Sequence, residues 1–332
     1  FFFFLFCLLF DYFYGGGAWG QALAITLASV GQKSTLIVSD EVRANEINNH
    51  FSRKFPQNPL HSFIQASTNS KEILKSSDLV FITTESKRVL KVLEEVSLFS
   101  SNGTDVVVTS KGFASKDGKT FSQIANDQFP NINLSILTGP TFADEVAKKL
   151  PAAAIIANKN INDAQSICKL FHNSNLRLYP NDDPLGASIS GAVKNIIAIG
   201  AGIVQGLGLG DNAKAALITR GLSETSELIK NAGGNFSTVF GLAGIGDMSL
   251  TCSGPHSRNM AYGINFVKNK SKKHKLDLVE GLNAIDSAIF LAQRLNTEMP
   301  IVNAINDILT KKADINEVIK NLLTRPITNE FL

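Results

Sequence analysis

The chain has 332 residues, 44% hydrophobic and 18% charged, with 32 basic against 29 acidic side chains, a net charge of +3 and a mean hydropathy of +0.07. That length supports two domains with proper cores, and the near balance of charge argues against a broad nucleic-acid surface while leaving room for a local anion pocket. Cys7, Cys168 and Cys252 stand far apart, with neither zinc spacing nor a disulfide framework, so a reducing cytosol and no metal are expected.

Phe1–Phe10, FFFFLFCLLF, is a solid apolar run. It is too short to span a bilayer and lacks the basic flank and cleavage site of a signal peptide, so a buried first strand is expected, without stable membrane insertion. Gly15-x-Gly17-x-x-Gly20 follows, then a helical pattern (Ala22, Leu23, Ile25, Leu27, Ala28) stopped by Gly31, then a strand over Ser34–Val38. Strand, glycine turn, helix, strand is the context in which backbone N–H groups approach a pyrophosphate at a helix N-terminus. After the second strand stand Ser39 and Asp40. An acid there suits the ribose hydroxyls of NAD, whereas a nearby base such as Arg43 suits the 2′-phosphate of NADP, so the choice stays open.

Glu41–Phe51 reads as helix and Ser52–Gln65 as a loop with solvated bases. Leu79–Thr83 is a strand, Lys87–Leu98 a helix, and Asp105–Thr109 a strand ending at Ser110-Lys111-Gly112. Leu134–Leu137 is a strand ending at Thr138-Gly139-Pro140-Thr141, with Thr141 as expected cap of a helix whose first turn carries Asp144 and Glu145. Ala152–Ala157 and Leu176–Tyr179 are later strands. Ligands bind at the carboxyl ends of strands in open parallel sheets, which raises Lys111 and Gly139–Thr141 above surface noise.

Past Pro184 strand signals vanish and helical patterns run on. The expected architecture is therefore α/β, a doubly wound sheet over residues 1–183 followed by an all-α domain over 184–332, with no internal repeat. The helical half opens on Ser188–Gln205, with apolar residues at helical spacing and Lys194 among Ala187, Ser190, Gly191, Ala198 and Ala201. Helix-interior glycines cost roughly 1 kcal/mol each against Ala, so something must offset them. Two readings stay open: a packing groove with Lys194 in solvent, or space for a ligand beside the lysine. Further on, Asp247 lies in the glycine-rich GLAGIGDMSLT and needs a cationic partner or several N–H donors. Ser257-Arg258-Asn259 opens a helix, and an arginine beside helix-terminal amides suits phosphate. Lys268–Lys275 reads as a solvated basic loop. Lys194, Asp247 and this triplet behind a nucleotide-binding pattern suggest an enzyme acting on a small phosphorylated molecule.

The segments GGGAWGQALA, VTSKGF, LTGPTFADEVA, SGAVKNIIAIGAGIVQGLGLGDNAKAALITRGL, GLAGIGDMSLTC, SRN, LVEG and EMPI resemble the bacterial-type NAD(P)-dependent glycerol-3-phosphate dehydrogenases, from Gly15 to Thr310. The resemblance implies a Rossmann-like domain before the helical one, NAD(P)H as cofactor, and dihydroxyacetone phosphate and sn-glycerol 3-phosphate as partners. It also implies a role in glycerophospholipid synthesis, a cytoplasmic setting and a homodimer. It makes Lys194 the catalytic proton donor and acceptor, with Asp247 and Thr251 orienting it and contacting substrate, and Asn195 an active-site asparagine. Lys111, Gly139 and Thr141 match substrate positions, Lys111 also lying near the cofactor. Ser257, Arg258 and Asn259 match the phosphate grip, Arg258 also reaching the cofactor. Gly15, Gly17, Gly20, Ala18, Trp19, Ser39, Asp40, Ala143, Val279 and Glu280 fall at cofactor positions.

The chain departs from the family in three places. FDYFY replaces a short β-branched run before the glycines, Ser39 replaces a base after the second strand, and Glu85-Ser86 replaces a Pro-Ser. The first two bear on cofactor affinity and choice, and the third sets an acid near the nicotinamide side. Two alternatives follow: a 6-phosphogluconate or β-hydroxyacid type of dehydrogenase, and a cofactor-impaired relative that binds phosphorylated metabolites.

Overall fold

A computed structural model describes residues 11–254, 256–268, 279–310 and 314–326. The apolar run Phe1–Phe10 and most of the basic loop Lys268–Lys275 lie outside the described residues. The first half alternates strands and helices: β1 (Asp11–Tyr14), α1 (Ala18–Ala28), β2 (Ser34–Ile37), α2 (Glu41–Asn48), β3 (Ile64–Ser67), α3 (Ser70–Lys75), β4 (Leu79–Ile82) and α4 (Ser86–Phe99). Then come β5 (Thr104–Val108), α5 (Phe121–Gln128), β6 (Ile132–Thr138), α6 (Ala143–Ala147), β7 (Ala152–Ala157), α7 (Ile161–Leu170) and β8 (Leu176–Asn181).

The eight strands form one sheet in the order β3-β2-β1-β4-β5-β6-β7-β8, parallel throughout except where β7 runs against β6. Central strands such as LVFI in β4 are apolar at every position because helices cover both faces. On one face Phe13 stacks on Phe81 at 4.9 Å over Leu23 and Leu27. On the other, Val89, Leu93 and Val96 of α4 meet Val80, Ile82, Val106 and Val108. The order reverses between β1 and β4, which leaves a crevice at their carboxyl ends.

Three expectations need correction. The expected loop Ser52–Gln65 gives its last two residues to β3, an edge strand with only Ile64 and Ala66 buried, too short to stand out from the sequence. The expected helix Glu41–Phe51 ends at Asn48, and His50 turns to φ 61°. Thr141 is not the cap of α6. That position is Phe142, and the Thr141 hydroxyl donates instead to Gly139 O at 3.3 Å.

The second half is helical: α8 (Pro184–Leu207), α9 (Asp211–Asn231), a 3-10 turn (Phe236–Phe240), a π turn (Leu242–Gly246), α10 (Asp247–Cys252), α11 (Arg258–Val267), α12 (Glu280–Arg294), α13 (Pro300–Thr310) and α14 (Ile315–Leu323). Helix α8 starts cleanly because Pro184 sits in its first turn and Asp183 accepts the Gly186 N–H at 2.9 Å. It ends at Gly208 in the left-handed region, φ 71°. Among the described residues it is the one helix long and apolar enough to cross a membrane, and its apolar window is wholly buried inside the protein. It is the axis around which α9 to α13 pack. Two of its contacts explain the glycines. A Cβ on Gly202 would lie 2.1 Å from Met260 O, and one on Gly263 of α11 would lie 2.1 Å from Ile199 O. The backbones of α8 and α11 therefore touch, and the packing gained offsets the low helix propensity of glycine.

Candidate active site

Lys194 projects from the middle of α8 and is only 5% exposed, which rules out the solvent-facing reading. Its Nζ donates to Asp247 Oδ1 at 2.9 Å and to Thr251 Oγ1 at 2.7 Å. Asp247 and Thr251 stand one turn apart on α10, and the Thr251 hydroxyl closes the arrangement by donating to Asp247 O at 2.6 Å. The other carboxylate oxygen of Asp247 accepts from Lys111 Nζ at 2.5 Å. Lys111 follows β5 and also donates to Gly139 O, 3.2 Å away at the end of β6. One buried carboxylate thus joins a lysine from the sheet to a lysine from the helices.

The charges in this group set each other's protonation. Burial pushes the Lys194 ammonium down to about 8, and Lys111 adds to that while Asp247 opposes it. For Asp247 burial acts upward, but Lys111 and Lys194 together hold the carboxyl below the usual carboxylate range. Asp247 therefore stays ionised, and the Lys194 ammonium gives up its proton closer to neutral pH than an exposed lysine does. The sequence supplied Asp247 as partner for Lys194. It did not supply the share taken by Lys111, because no local pattern links residues so far apart in the chain.

The space beside the lysines is bounded by small groups. A Cβ on Gly191, one turn before Lys194, would sit 3.3 Å from Thr138 Oγ1 and 3.5 Å from Lys111 Cγ. Thr138 Oγ1 and Ser190 Oγ are buried here without a hydrogen-bond partner among the described residues. Sequence reading missed Thr138, although it ends a strand beside Gly139. Gly139 has φ 154° and stands where a side chain would strike Ala154 Cα at 2.7 Å.

The expected anion corner is the start of α11. Ser257 caps it, accepting the Met260 N–H at 3.3 Å. Arg258 is exposed and has no hydrogen bond or ion pair among the described residues. Asn259 is buried with its amide fully engaged: Nδ2 donates to Asn195 Oδ1 at 2.9 Å, and Oδ1 accepts the Gly281 N–H at 3.0 Å. The Asn195 Nδ2 donates in turn to Glu280 Oε2 at 3.1 Å. Asn195 therefore faces Asn259 and Glu280 rather than the Lys194–Asp247 group.

The glycine turn lies across the crevice. Gly15 has φ 127°, and Thr83 Oγ1 donates to its carbonyl at 2.8 Å. Gly17 is the N-cap of α1, with no side chain bonded to the helix end and open space where its Cβ would be. The amides of Ala18, Trp19 and Gly20 consequently have no intrahelical acceptor, so a pyrophosphate fits there. Ala143, at the start of α6, packs with Ala18 and Trp19. Asp40 caps α2 by accepting the Arg43 N–H at 2.9 Å, and the Ser39 hydroxyl leans on Asp40 at 3.4 Å. A 360 Å³ cleft here is lined by Gly16, Asp40, Arg43, Arg53 and Lys54 among others. Glu85 caps α4 without bonding its amides and pairs with Lys87 at 3.2 Å, so its charge is offset locally. Val279, buried, precedes α12 and Glu280 opens it.

Two family descriptions match this chain: the N-terminus of NAD-dependent glycerol-3-phosphate dehydrogenase over residues 12–164, and its C-terminus over residues 183–320. The chain belongs to the NAD-dependent glycerol-3-phosphate dehydrogenase family. Among relatives, a protein named glycerol-3-phosphate dehydrogenase (NAD(P)+) from Halothermothrix orenii is 36% identical over 325 residues, 96% of this chain and 95% of that one. Another of that name from Francisella tularensis is 37% identical over 331 residues, 95% of this chain and 97% of that one. The crystal structure of glycerol-3-phosphate dehydrogenase from Coxiella burnetii superposes with a TM-score of 0.87 at 32% identity, covering 96% of this chain and 99% of that one. The family thus accounts for both the sheet and the helical half, and for the order of the segments that meet at Asp247.

Proposed function

We propose that this chain catalyses the reversible NAD(P)H-dependent reduction of dihydroxyacetone phosphate to sn-glycerol 3-phosphate. The observation that carries the reading is the pair Lys111 and Lys194 on one buried Asp247 at the carboxyl ends of β5 and β6. Residues 1–183 would hold the dinucleotide, with the free amides of α1 taking its pyrophosphate, and residues 184–332 would supply the proton and the anion grip. Bound there, the reduced nicotinamide supplies hydride to the C2 carbonyl.

The residues of the chain do the rest. The C2 oxygen gains negative charge as hydride arrives. Lys194, protonated below its value of about 8, stabilises that charge and donates the proton. Asp247 and Thr251 fix the direction of the ammonium, and Lys111 adds a second positive charge on the same side. Arg258 and the start of α11 take the phosphate, which fixes the carbonyl against Lys194. The product serves glycerophospholipid synthesis, and we infer a cytoplasmic homodimer from the family.

The test is oxidation of NADH and NADPH with dihydroxyacetone phosphate, by wild type and Lys194→Ala. Wild type is expected to turn over, and the variant to lose roughly 10²–10⁴-fold, the share of a general acid. The ratio between the two cofactors reads the balance of Asp40 against Arg43 and Lys54. Turnover of β-hydroxyacids instead would move the substrate assignment. Absence of turnover with either cofactor would favour a metabolite-binding relative.

A further inference from the structure

Asn195, Asn259 and Glu280 join two helix starts that have different work to do. Helix α11 begins beside the anion corner, and α12 begins with Glu280, next to Val279, at the edge matched to the cofactor. Between them runs a closed set of hydrogen bonds: Gly281 N–H to Asn259 Oδ1 at 3.0 Å, Asn259 Nδ2 to Asn195 Oδ1 at 2.9 Å, and Asn195 Nδ2 to Glu280 Oε2 at 3.1 Å.

Its direction is forced from both ends. An ionised carboxylate only accepts, so Asn195 must turn its NH₂ to Glu280 and its oxygen to Asn259. A backbone N–H only donates, so Asn259 must turn its oxygen to Gly281 and its NH₂ to Asn195. Neither amide can flip without breaking two bonds. The ring is also clamped by backbone contact: a Cβ on Gly281 would lie 2.6 Å from Asn195 O and 2.7 Å from Ile199 Cδ1. Asn195 and Asn259 are 2% and 6% exposed, so no bulk water replaces a lost partner.

We infer that Asn195 is a positioning residue that couples the phosphate end of the site to the cofactor end, so that occupancy of one favours binding at the other. This rests on the function proposed above. A phosphate drawn to the start of α11 shifts the first turn of that helix, and Asn259, already bonded at both ends, moves with it. Through Asn195 that fixes the Glu280 carboxylate and the first turn of α12. The coupling is reciprocal, as linkage requires.

The experiment uses NADPH with sn-glycerol 3-phosphate, a pair in which both members are already reduced and cannot react. The dissociation constant of NADPH is measured by its fluorescence with and without saturating sn-glycerol 3-phosphate. Wild type should bind NADPH about fivefold or more tighter in the ternary complex, the lower range of ordinary coupling. Asn195→Ala should bring the ratio to near one. Glu280→Ala, at a partly buried position less able to disturb folding than Asn195, should do the same. Glu280→Gln should keep the coupling, since its amide oxygen still accepts from Asn195. In turnover, Asn195→Ala should raise both KM values more than it lowers kcat, and leave the pH break set by Lys194 in place.

A wild-type ratio of one, a ratio unchanged by Asn195→Ala, or Glu280→Gln behaving like Glu280→Ala would each overturn the inference, the last by assigning the effect to charge alone. Wild-type turnover of dihydroxyacetone phosphate is measured on the same preparation. Its presence with no coupling sinks this inference alone, and its absence sinks the functional reading beneath it.

Discussion

Lys194 is a buried ammonium that its surroundings hold at about 8 rather than at the ordinary 10.5. Burial favours the neutral amine, Lys111 adds repulsion, and Asp247 resists both. Reduction needs the protonated form and oxidation the neutral one. The kcat for dihydroxyacetone phosphate reduction should therefore fall as pH rises through about 8, while the reverse reaction rises over the same interval. Asp247→Asn removes the charge that raises the lysine, so it should move that break to lower pH; a pH–rate profile of each protein checks both statements. At this scale the sequence was informative where chemistry is local. Asp247 in an apolar, glycine-rich stretch announced a need for a cationic partner or several N–H donors, and Ser257-Arg258-Asn259 announced a helix start. Lys111 joining the same carboxylate, and the Asn195–Asn259–Glu280 set, were not legible, because they depend on side chains that only tertiary packing brings together.

Three helices meet backbone to backbone where α11 and α12 lie on α8. Gly263 is as tight as any of these contacts: an added Cβ would face Ile199 O at 2.1 Å and Ile203 N at 2.9 Å, both main-chain atoms that cannot rotate aside. Gly263→Ala should cost at least about 2 kcal/mol, within the range for overpacking, and lower Tm by several degrees. Because the start of α11 would be displaced with it, the KM for dihydroxyacetone phosphate should rise more than that for the cofactor; thermal unfolding and steady-state kinetics check the pair of effects. The small face of α8 was visible as a run of Gly, Ala and Ser. The sequence left open whether that face packs or binds; the structure shows Gly202 packed on α11 and Gly191 bordering the space beside Lys111 and Thr138. Elements with few residues escaped, since β3 and α3 carry too short a pattern to outweigh a polar loop.

Across the whole molecule the site lies on the seam between the sheet and the helices, and it closes only when Lys111 from one half meets Asp247 from the other. The alternating order of strands and helices was readable from apolar runs and glycine breaks; the reversal of β7 was not, because direction leaves no mark on a short apolar strand. The departure FDYFY has a physical counterpart. Asp11 in β1 is fully buried, both its carboxylate oxygens lack a hydrogen-bond partner among the described residues, and so does Ser34 Oγ in the neighbouring register position. Burial pushes the carboxyl up to about 7. The folded chain then keeps a proton that the unfolded chain releases between about 4 and 7, so stability falls as pH rises across that window. Asp11→Leu should raise Tm by a few degrees at pH 8 and by less at pH 5, read by calorimetry. The fully buried α8 carries a different consequence, one of timing. A ribosome delivers the sheet before this helix and its cover after it. At roughly 5–20 residues per second, α8 waits on the order of ten seconds for α11 and α12 to emerge. During that interval it is an apolar helix, with a mean hydropathy of 1.6 over its apolar window, that has only the sheet, α9 and α10 to lie against. A chain cut short before α11 would keep the face that takes α11 and α12 bare for good, and its fate would be capture by chaperones or aggregation rather than a smaller working enzyme.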